Sequence, residues 1–214
     1  THSNVFSNVS SAERVFTCRF DEEVKIENAT SRARLLESLG YAVADNLVSD
    51  LIILVEGPTD KAFLEEFFIK MGLASRYSIR IWPLGGNMMA HADLSVFTES
   101  YRIIALIDSD PESKIIRDEF VKQCEEKAIH VHRLNRYSIE NYLSLSAIEK
   151  VMGMKAPEGV KAFDPNMKVA KQLGFDPKRR IPDIAREMSL EDIAGTDLGD
   201  FLRTAEKMLA DSNS

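Results

Sequence analysis

Three short acidic clusters in this sequence each follow an apolar run. Glu56 and Asp60 close the run Leu51-Ile52-Ile53-Leu54-Val55, in the order Glu56-Gly57-Pro58-Thr59-Asp60. Asp108 and Asp110 close the stretch from Arg102 to Ile107, in Asp108-Ser109-Asp110-Pro111, and Glu140 follows the stretch from Ile129 to Leu134. If the runs are strands of an open parallel sheet, ligands collect outside their carboxyl ends, and five carboxylates from distant parts of the chain converge there. Carboxylates so close raise one another's pKa and repel unless a cation neutralises them. Hard divalent ions suit such donors, because Mg²⁺ takes octahedral oxygen ligands and keeps several waters, so a few carboxylates hold one or two ions. Two such ions roughly 3.5 to 4 Å apart activate a water and stabilise the leaving oxygen of a phosphodiester. Taken singly, Asp60 or Asp110 reads as a helix cap or a loop charge, and Glu140 also suits the positive end of a helix. Recurrence at successive strand ends favours a shared metal site.

The elements that must position these residues alternate. Leu51 to Val55 is apolar throughout, as a strand covered on both faces must be. Thr59 or Asp60 is the expected cap of a helix carrying Ala62, Phe63, Glu66, Phe67 and Lys70, with Gly72 at its end. Ser78 to Pro83 predicts a strand, Gly85-Gly86 a turn and Ala90 to Phe97 a helix. Arg102 to Ile107 is the third strand, Glu112 to Lys127 a helix and Ile129 to Leu134 the fourth strand. Strands alternating with helices imply a parallel sheet with right-handed crossovers, an α/β fold. Beyond Tyr142 the pattern is helical and broken by Pro157, Pro165, Pro177 and Pro182, with segments near Ala147 to Met154, Lys168 to Leu173, Ile184 to Met188 and Leu198 to Leu209. Before Leu51, Ala12 to Phe20 reads as a strand and Ser31 to Leu39 as a helix. The division expected is a lead-in over 1–50, a catalytic α/β domain over 51–145 and a small helical C-terminal appendage over 146–214.

Composition limits the partners. The 214 residues carry 34 acidic against 27 basic side chains, a net charge of -7, which argues against the chain coating nucleic acid unaided. Bound cations, a local basic patch or a further domain would have to supply the attraction. From Pro165 to Arg186, Lys168, Lys171, Lys178, Arg179, Arg180 and Arg186 outnumber Asp176 and Asp183. That stretch reads equally as a track for a DNA backbone and as a solvated helix face. Cys18 and Cys124 lack zinc or redox spacing and read as buried thiols. His130 and His132 share one strand face without a third ligand and read as packing or surface residues. His91 reads as structural. No apolar run approaches the roughly 20 residues of a membrane helix, and no signal segment opens the chain, so a cytoplasmic protein with no membrane association is expected. The opening Thr1-His2-Ser3, without a methionine, predicts a piece of a longer protein.

Glu56-Gly57-Pro58-Thr59-Asp60 after one apolar strand and Asp108-Ser109-Asp110 after another resemble the Toprim domain of topoisomerases, primases and several nucleases. Arg136-Tyr137-Ser138-Ile139-Glu140-Asn141-Tyr142-Leu143 narrows the resemblance to the overcoming-lysogenization-defect (OLD) nucleases, which join an ABC-type ATPase to a C-terminal Toprim nuclease. Thr1-His2-Ser3 is similar to the switch-histidine segment late in such an ATPase, and Leu35 to Asp50 to the connector that follows. The resemblance implies a Toprim fold, a Rossmann-like parallel sheet flanked by helices, and metal-dependent DNA endonuclease or nicking activity in phage defence. It implies two ions, Mg²⁺ or Mn²⁺, held by Glu56, Asp60, Asp108, Asp110 and Glu140, with Glu56 also placed to orient or deprotonate water. A downstream lysine belongs to the same pattern. Lys178 in Asp176-Pro177-Lys178-Arg179-Arg180-Ile181 fits its order, with Lys168, Lys171 and Lys161 as the other candidates. Its role would be to stabilise charge building on the phosphate.

The implied partners are DNA and the ATPase domain of the full-length protein. No GxxxxGK[ST] loop occurs, so the chain itself is expected neither to bind nor to hydrolyse ATP. Tyr137 and Tyr142 invite comparison with a topoisomerase nucleophile, but they flank a metal motif, whereas that tyrosine lies on a separate domain in Toprim topoisomerases. The rival readings are another Toprim enzyme, primase-like or RNA-cleaving, and a degenerate Toprim module that only binds DNA or partners.

Overall fold

Five consecutive apolar residues, Leu51 to Val55, form the strand around which the domain is built, and all five are fully buried. A strand buried on both faces needs a core on each side, and its side chains alternate between two. Leu51, Ile53 and Val55 enter one cluster, Ile52 and Leu54 the other. The computed structural model describes residues 16–21, 23–28, 49–92, 94 and 102–211. Thr1-His2-Ser3, the expected Ser31 to Leu39 helix and nearly all of the connector from Leu35 lie outside the described residues.

In chain order the described strands are β1 (Phe16–Asp21), β2 (Glu23–Asn28), β3 (Leu51–Val55), β4 (Ile79–Pro83), β5 (Ile103–Ile107) and β6 (His130–Arg133). The described α-helices are α1 (Pro58–Lys70), α2 (Lys114–Glu126), α3 (Leu145–Met152), α4 (Val169–Leu173), α5 (Ile181–Glu187) and α6 (Asp197–Ala210). Strands β4-β3-β5-β6 form a parallel sheet in that order, with Ile53 level with Ile81 on one side and Ile104 on the other. The chain leaves β3 toward β4 and then returns to β5 on the opposite flank, so the sheet reverses between β3 and β5. That is the switch point where an open α/β sheet leaves a crevice at its carboxyl end. Separately, β1 and β2 pair antiparallel, Cys18 opposite Ile26 and Phe20 opposite Val24. The first overlaps the expected Ala12 to Phe20 strand and runs one residue past it, and the second lies outside every expected element.

Helix α2 covers one face of the sheet through Phe120 and Cys124. Burial pushes the Cys124 thiol up to about 12, as suits an inert packing residue. The other face is covered by Phe63, Leu64, Phe67 and Phe68 of α1 and by all the helices beyond Tyr142: Ala147 and Ile148 of α3, Leu173 of α4, Ile184 of α5, and Leu198, Phe201 and Leu202 of α6 belong to the same cluster. The expected helical tail is therefore continuous with the core of the sheet. None of the described helices is long and apolar enough to cross a membrane.

Two local expectations change. Helix α1 starts at Pro58, whose missing N–H costs nothing at the first helical position, so the cap is Gly57 rather than Thr59 or Asp60; Asp60 reaches back to accept the Gly57 N–H at 2.7 Å. The Gly85-Gly86 turn takes φ of 87° and 62°, values that suit glycine, and opens into a 3₁₀ helix, Gly86–His91, at the start of the expected Ala90 to Phe97 helix. The remainder of that expected helix lies largely outside the described residues.

Helix α6 approaches the preceding turn so closely that a Cβ on Gly199 would overlap the Ile193 carbonyl oxygen. Gly199→Ala should destabilise the fold by roughly 1–3 kcal/mol, the usual cost of overpacking. Denaturant unfolding would measure it, and an unchanged midpoint would mean that the turn yields without cost.

Candidate active site

Because β3 and β5 are adjacent and parallel, the residues that follow them are brought side by side. Glu56 Oε1 accepts a hydrogen bond from the Asp108 N–H at 2.7 Å, joining the first two acidic clusters across the switch point. Asp108 Oδ1 in turn accepts from the Ile139 N–H at 3.1 Å, and that bond draws in the 3₁₀ helix Ile139–Tyr142 that carries Glu140. Glu56, Asp108, Asp110 and Glu140 line one cleft of about 360 Å³, with Arg117, Tyr137, Lys168 and Lys178 around them. Asp60 sits beneath, 9% exposed.

The electrostatics of the five carboxylates divide. Burial, and then the charges of Glu140 and Glu56, raise Asp60 from 3.8 to about 7, against the lowering effects of the Gly57 N–H and Lys178. Burial, with Asp60, Glu56 and Glu140 adding to it, likewise holds Asp108 well above the ordinary carboxylate range. Asp110 goes the other way: burial pushes it up, but hydrogen bonding and charge from Arg117, with the Ser113 and Glu112 N–H groups, outweigh that and hold it below its usual value.

Arg117 is the residue that sequence reasoning missed. It lies on α2 with 3% exposure, and its fork grips Glu56 through Nε to Oε1 and Nη2 to Oε2, the latter at 2.8 Å. The same guanidinium donates to the Asp110 carbonyl oxygen at 2.9 Å and to its Oδ2. One signal was present. Arg117, Phe120 and Cys124 fall at i, i+3 and i+7, so the arginine occupies the buried stripe of its helix, where a charge requires a partner.

Lys178 brings Nζ to 3.8 Å from Glu140 Oε1 on the cleft wall. Lys168 also lines the cleft, but pairs with Glu112 at 2.8 Å beside the Tyr137 ring. Much of the basic stretch is already paired, Arg180 with Asp183 and Arg186 with Glu66, each at 2.7 Å. Asn141, fully buried, donates to the Asp164 and Met167 carbonyls at 2.9 Å and so anchors the loop leading to Lys168. Tyr142 donates to Asp197 Oδ1 at 2.7 Å, and burial followed by that carboxylate pushes its phenol up, unlike a nucleophile. His132 packs against Asp197 and Phe201, and His130 is exposed, as their lack of a third ligand implied.

Hard carboxylate oxygens that hinder one another's ionisation are a donor set suited to a divalent cation. Among the described residues, no three acidic, histidine or cysteine side chains yet stand close enough to hold an ion as they are. The fork of Arg117 engages two of the five carboxylates, Glu56 and Asp110.

A parallel α/β sheet with this switch point and an acidic crevice over it is consistent with a Toprim fold. Residues 47–110 match the family model described as overcoming lysogenization defect protein-like, TOPRIM domain, so this segment is similar to an OLD-like Toprim domain. Four of the five carboxylates fall inside the match, while Glu140 and Lys178 lie beyond it. Among solved structures, the C-terminal region of the Burkholderia pseudomallei OLD protein is similar in fold, with a TM-score of 0.50 and 15% identity over 78% of this chain and 99% of that one. The C-terminal region of the Xanthomonas campestris pv. campestris OLD protein gives 0.48 and 16% over 77% and 95%. No curated protein matches the sequence.

The raised carboxyl groups predict an inverted pH dependence. Between 3.8 and about 7 the folded protein holds a proton on Asp60 that the unfolded chain has released. Metal-free protein should therefore lose stability as pH rises through that window. Asp110 acts oppositely, its contribution being lost only as pH falls below about 4. Thermal melting in EDTA should show a higher midpoint at pH 5 than at pH 7.5, with a smaller difference in Asp60→Asn. A midpoint that rises steadily from pH 5 to 7.5 in both proteins would refute the coupling.

Proposed function

We propose that this chain is a metal-dependent DNA endonuclease or nickase that hydrolyses phosphodiester bonds at the carboxylate cleft. The observation that carries the reading is the convergence of Glu56, Asp60, Asp108 and Glu140 at the switch point, where burial and neighbouring carboxylates raise Asp60 and Asp108. Glu56, Asp60, Asp108, Asp110 and Glu140 would hold two divalent ions, Mg²⁺ or Mn²⁺. Such ions, when bound, supply Lewis-acid activation of water and stabilisation of the leaving oxygen.

The protein's own residues do the rest. Glu56, at the foot of the cleft, orients the attacking water and accepts its proton. Lys178, exposed on the wall, meets the phosphate and balances the charge that builds on it. Ser109 donates its N–H to the Tyr137 carbonyl at 3.2 Å and keeps the two acidic loops in register. We place the ATPase tail and connector in 1–50, the catalytic domain in 51–145 and a helical subdomain in 146–214. We assign the chain to a longer, cytoplasmic protein whose ATPase domain is its partner and whose role is phage defence. A second reading, a Toprim module that binds without cutting, draws on the hold of Arg117 over Glu56 and Asp110.

Cleavage of supercoiled and linear DNA, with labelled RNA in parallel, decides between them. Mg²⁺ or Mn²⁺ should support cutting of DNA, Ca²⁺ should support it poorly because its looser coordination places the water less well, and EDTA should abolish it. Asp108→Asn should remove most turnover without lowering the melting temperature, since it relieves repulsion. Cutting that persists in EDTA or in Asp108→Asn would exclude this site.

Lys178→Ala should slow the single-turnover rate by about a hundred-fold or more, while DNA affinity falls only slightly. Arg179→Ala and Arg180→Ala should weaken binding and flatten its salt dependence without a comparable loss in the chemical step. If Lys178→Ala resembles those two, the lysine is an ordinary backbone contact.

A further inference from the structure

The five carboxylates are unequally partnered. Asp60 and Asp108 accept from the backbone N–H groups of Gly57 and Ile139, and Glu140 has Lys178 at 3.8 Å. Glu56 and Asp110 are held by Arg117, whose guanidinium engages both Glu56 oxygens and, on Asp110, both the carboxylate and the backbone carbonyl. The oxygens in that fork are those a cation on the Glu56 and Asp110 side would need. A guanidinium does not leave by losing a proton in the physiological range; it has to swing away, and the cleft of about 360 Å³ beside it provides the room.

We propose that Arg117 is a latch that orders metal loading. One divalent ion binds on the side of Asp60, Asp108 and Glu140, and a second binds on the side of Glu56 and Asp110 only when Arg117 releases them. The inference rests on the reading of this cleft as a metal site. It makes Arg117 a positioning residue, acting through the carboxylates it holds. An incoming phosphate is the natural acceptor for the released guanidinium, since it offers the same planar, bidentate pairing.

Mn²⁺ binding to EDTA-stripped protein, followed by electron paramagnetic resonance and calorimetry, tests the latch apart from any activity. Wild type should show one tight and one weak ion, and Asp110→Asn should lose only the weak one. Arg117→Gln should tighten the weak ion by about tenfold or more, because an unlatched state populated at a tenth or less lowers apparent affinity in proportion. The tight ion should barely change. Arg117→Lys keeps a cation without the fork and should fall between; it also serves if Arg117→Gln fails to fold by circular dichroism. Two equal ions in wild type, or a weak ion untouched by Arg117 substitution, would overturn the latch. No Mn²⁺ bound by wild type or any variant would overturn the metal reading itself, and the latch with it.

Discussion

Parallel strands lie about 4.8 Å apart, so acidic residues placed just beyond the ends of β3 and β5 are neighbours. At a separation of 4 Å and an effective dielectric of 20, two like charges repel by about 4 kcal/mol. A backbone hydrogen bond contributes about 1 kcal/mol net. The Gly57 and Ile139 N–H groups can orient Asp60 and Asp108, but they cannot cancel the repulsion. Among the described residues the buried positive charge is Arg117, and Asp60 and Asp108 remain raised in pKa. Carboxylates in that state are the kind of donor set a divalent cation would stabilise.

The C-terminal helices help to position the site. Asp197, at the first residue of α6, accepts from the Tyr142 hydroxyl and from the Asn135 N–H at 2.8 Å. Tyr142 in turn closes the 3₁₀ helix that carries Glu140, and the Arg136 guanidinium lies 4.6 Å from the centre of its ring. The position of Glu140 thus depends on α6, more than fifty residues later in the chain. The shared core explains why: Phe201, Leu202 and Leu209 bury against the same cluster as Ile53 and Val55. A helix added to the sheet for packing also fixes one wall of the site.

The parts legible in the sequence are those set by local pattern. The run Leu51 to Val55 could be read as a doubly buried strand because all five residues are apolar, and the carboxylates after it could be placed because strand ends in a parallel sheet point one way. What escaped was set by contacts between distant segments. Arg117 lies sixty-one residues from Glu56, and nothing in its neighbours names that partner. Asp110 reads as one more ligand until its pairing with Arg117 is seen. The cap of α1 was misplaced because Pro58 begins the helix one residue before Thr59, which leaves Gly57 at the boundary. The strand β2 alternates Glu23, Lys25 and Glu27 with Val24 and Ile26, a period-two pattern that could have found it, and its pairing with β1 confirms it.

Lysine chemistry at the cleft follows from how firmly each cation is held. Lys168 is tied to Glu112 at 2.8 Å beside Tyr137, and so keeps to the rim. Lys178 stands at 3.8 Å from Glu140 with its side chain 59% exposed. An exposed pair of that length contributes about 1 kcal/mol or less, so a phosphate drawn into the cleft can take the ammonium from Glu140 at little cost. A net charge of -7 supplies no long-range attraction for a polyanion. If the cleft takes a polyanion as proposed, recognition would have to be local, starting at the loosely held Lys178.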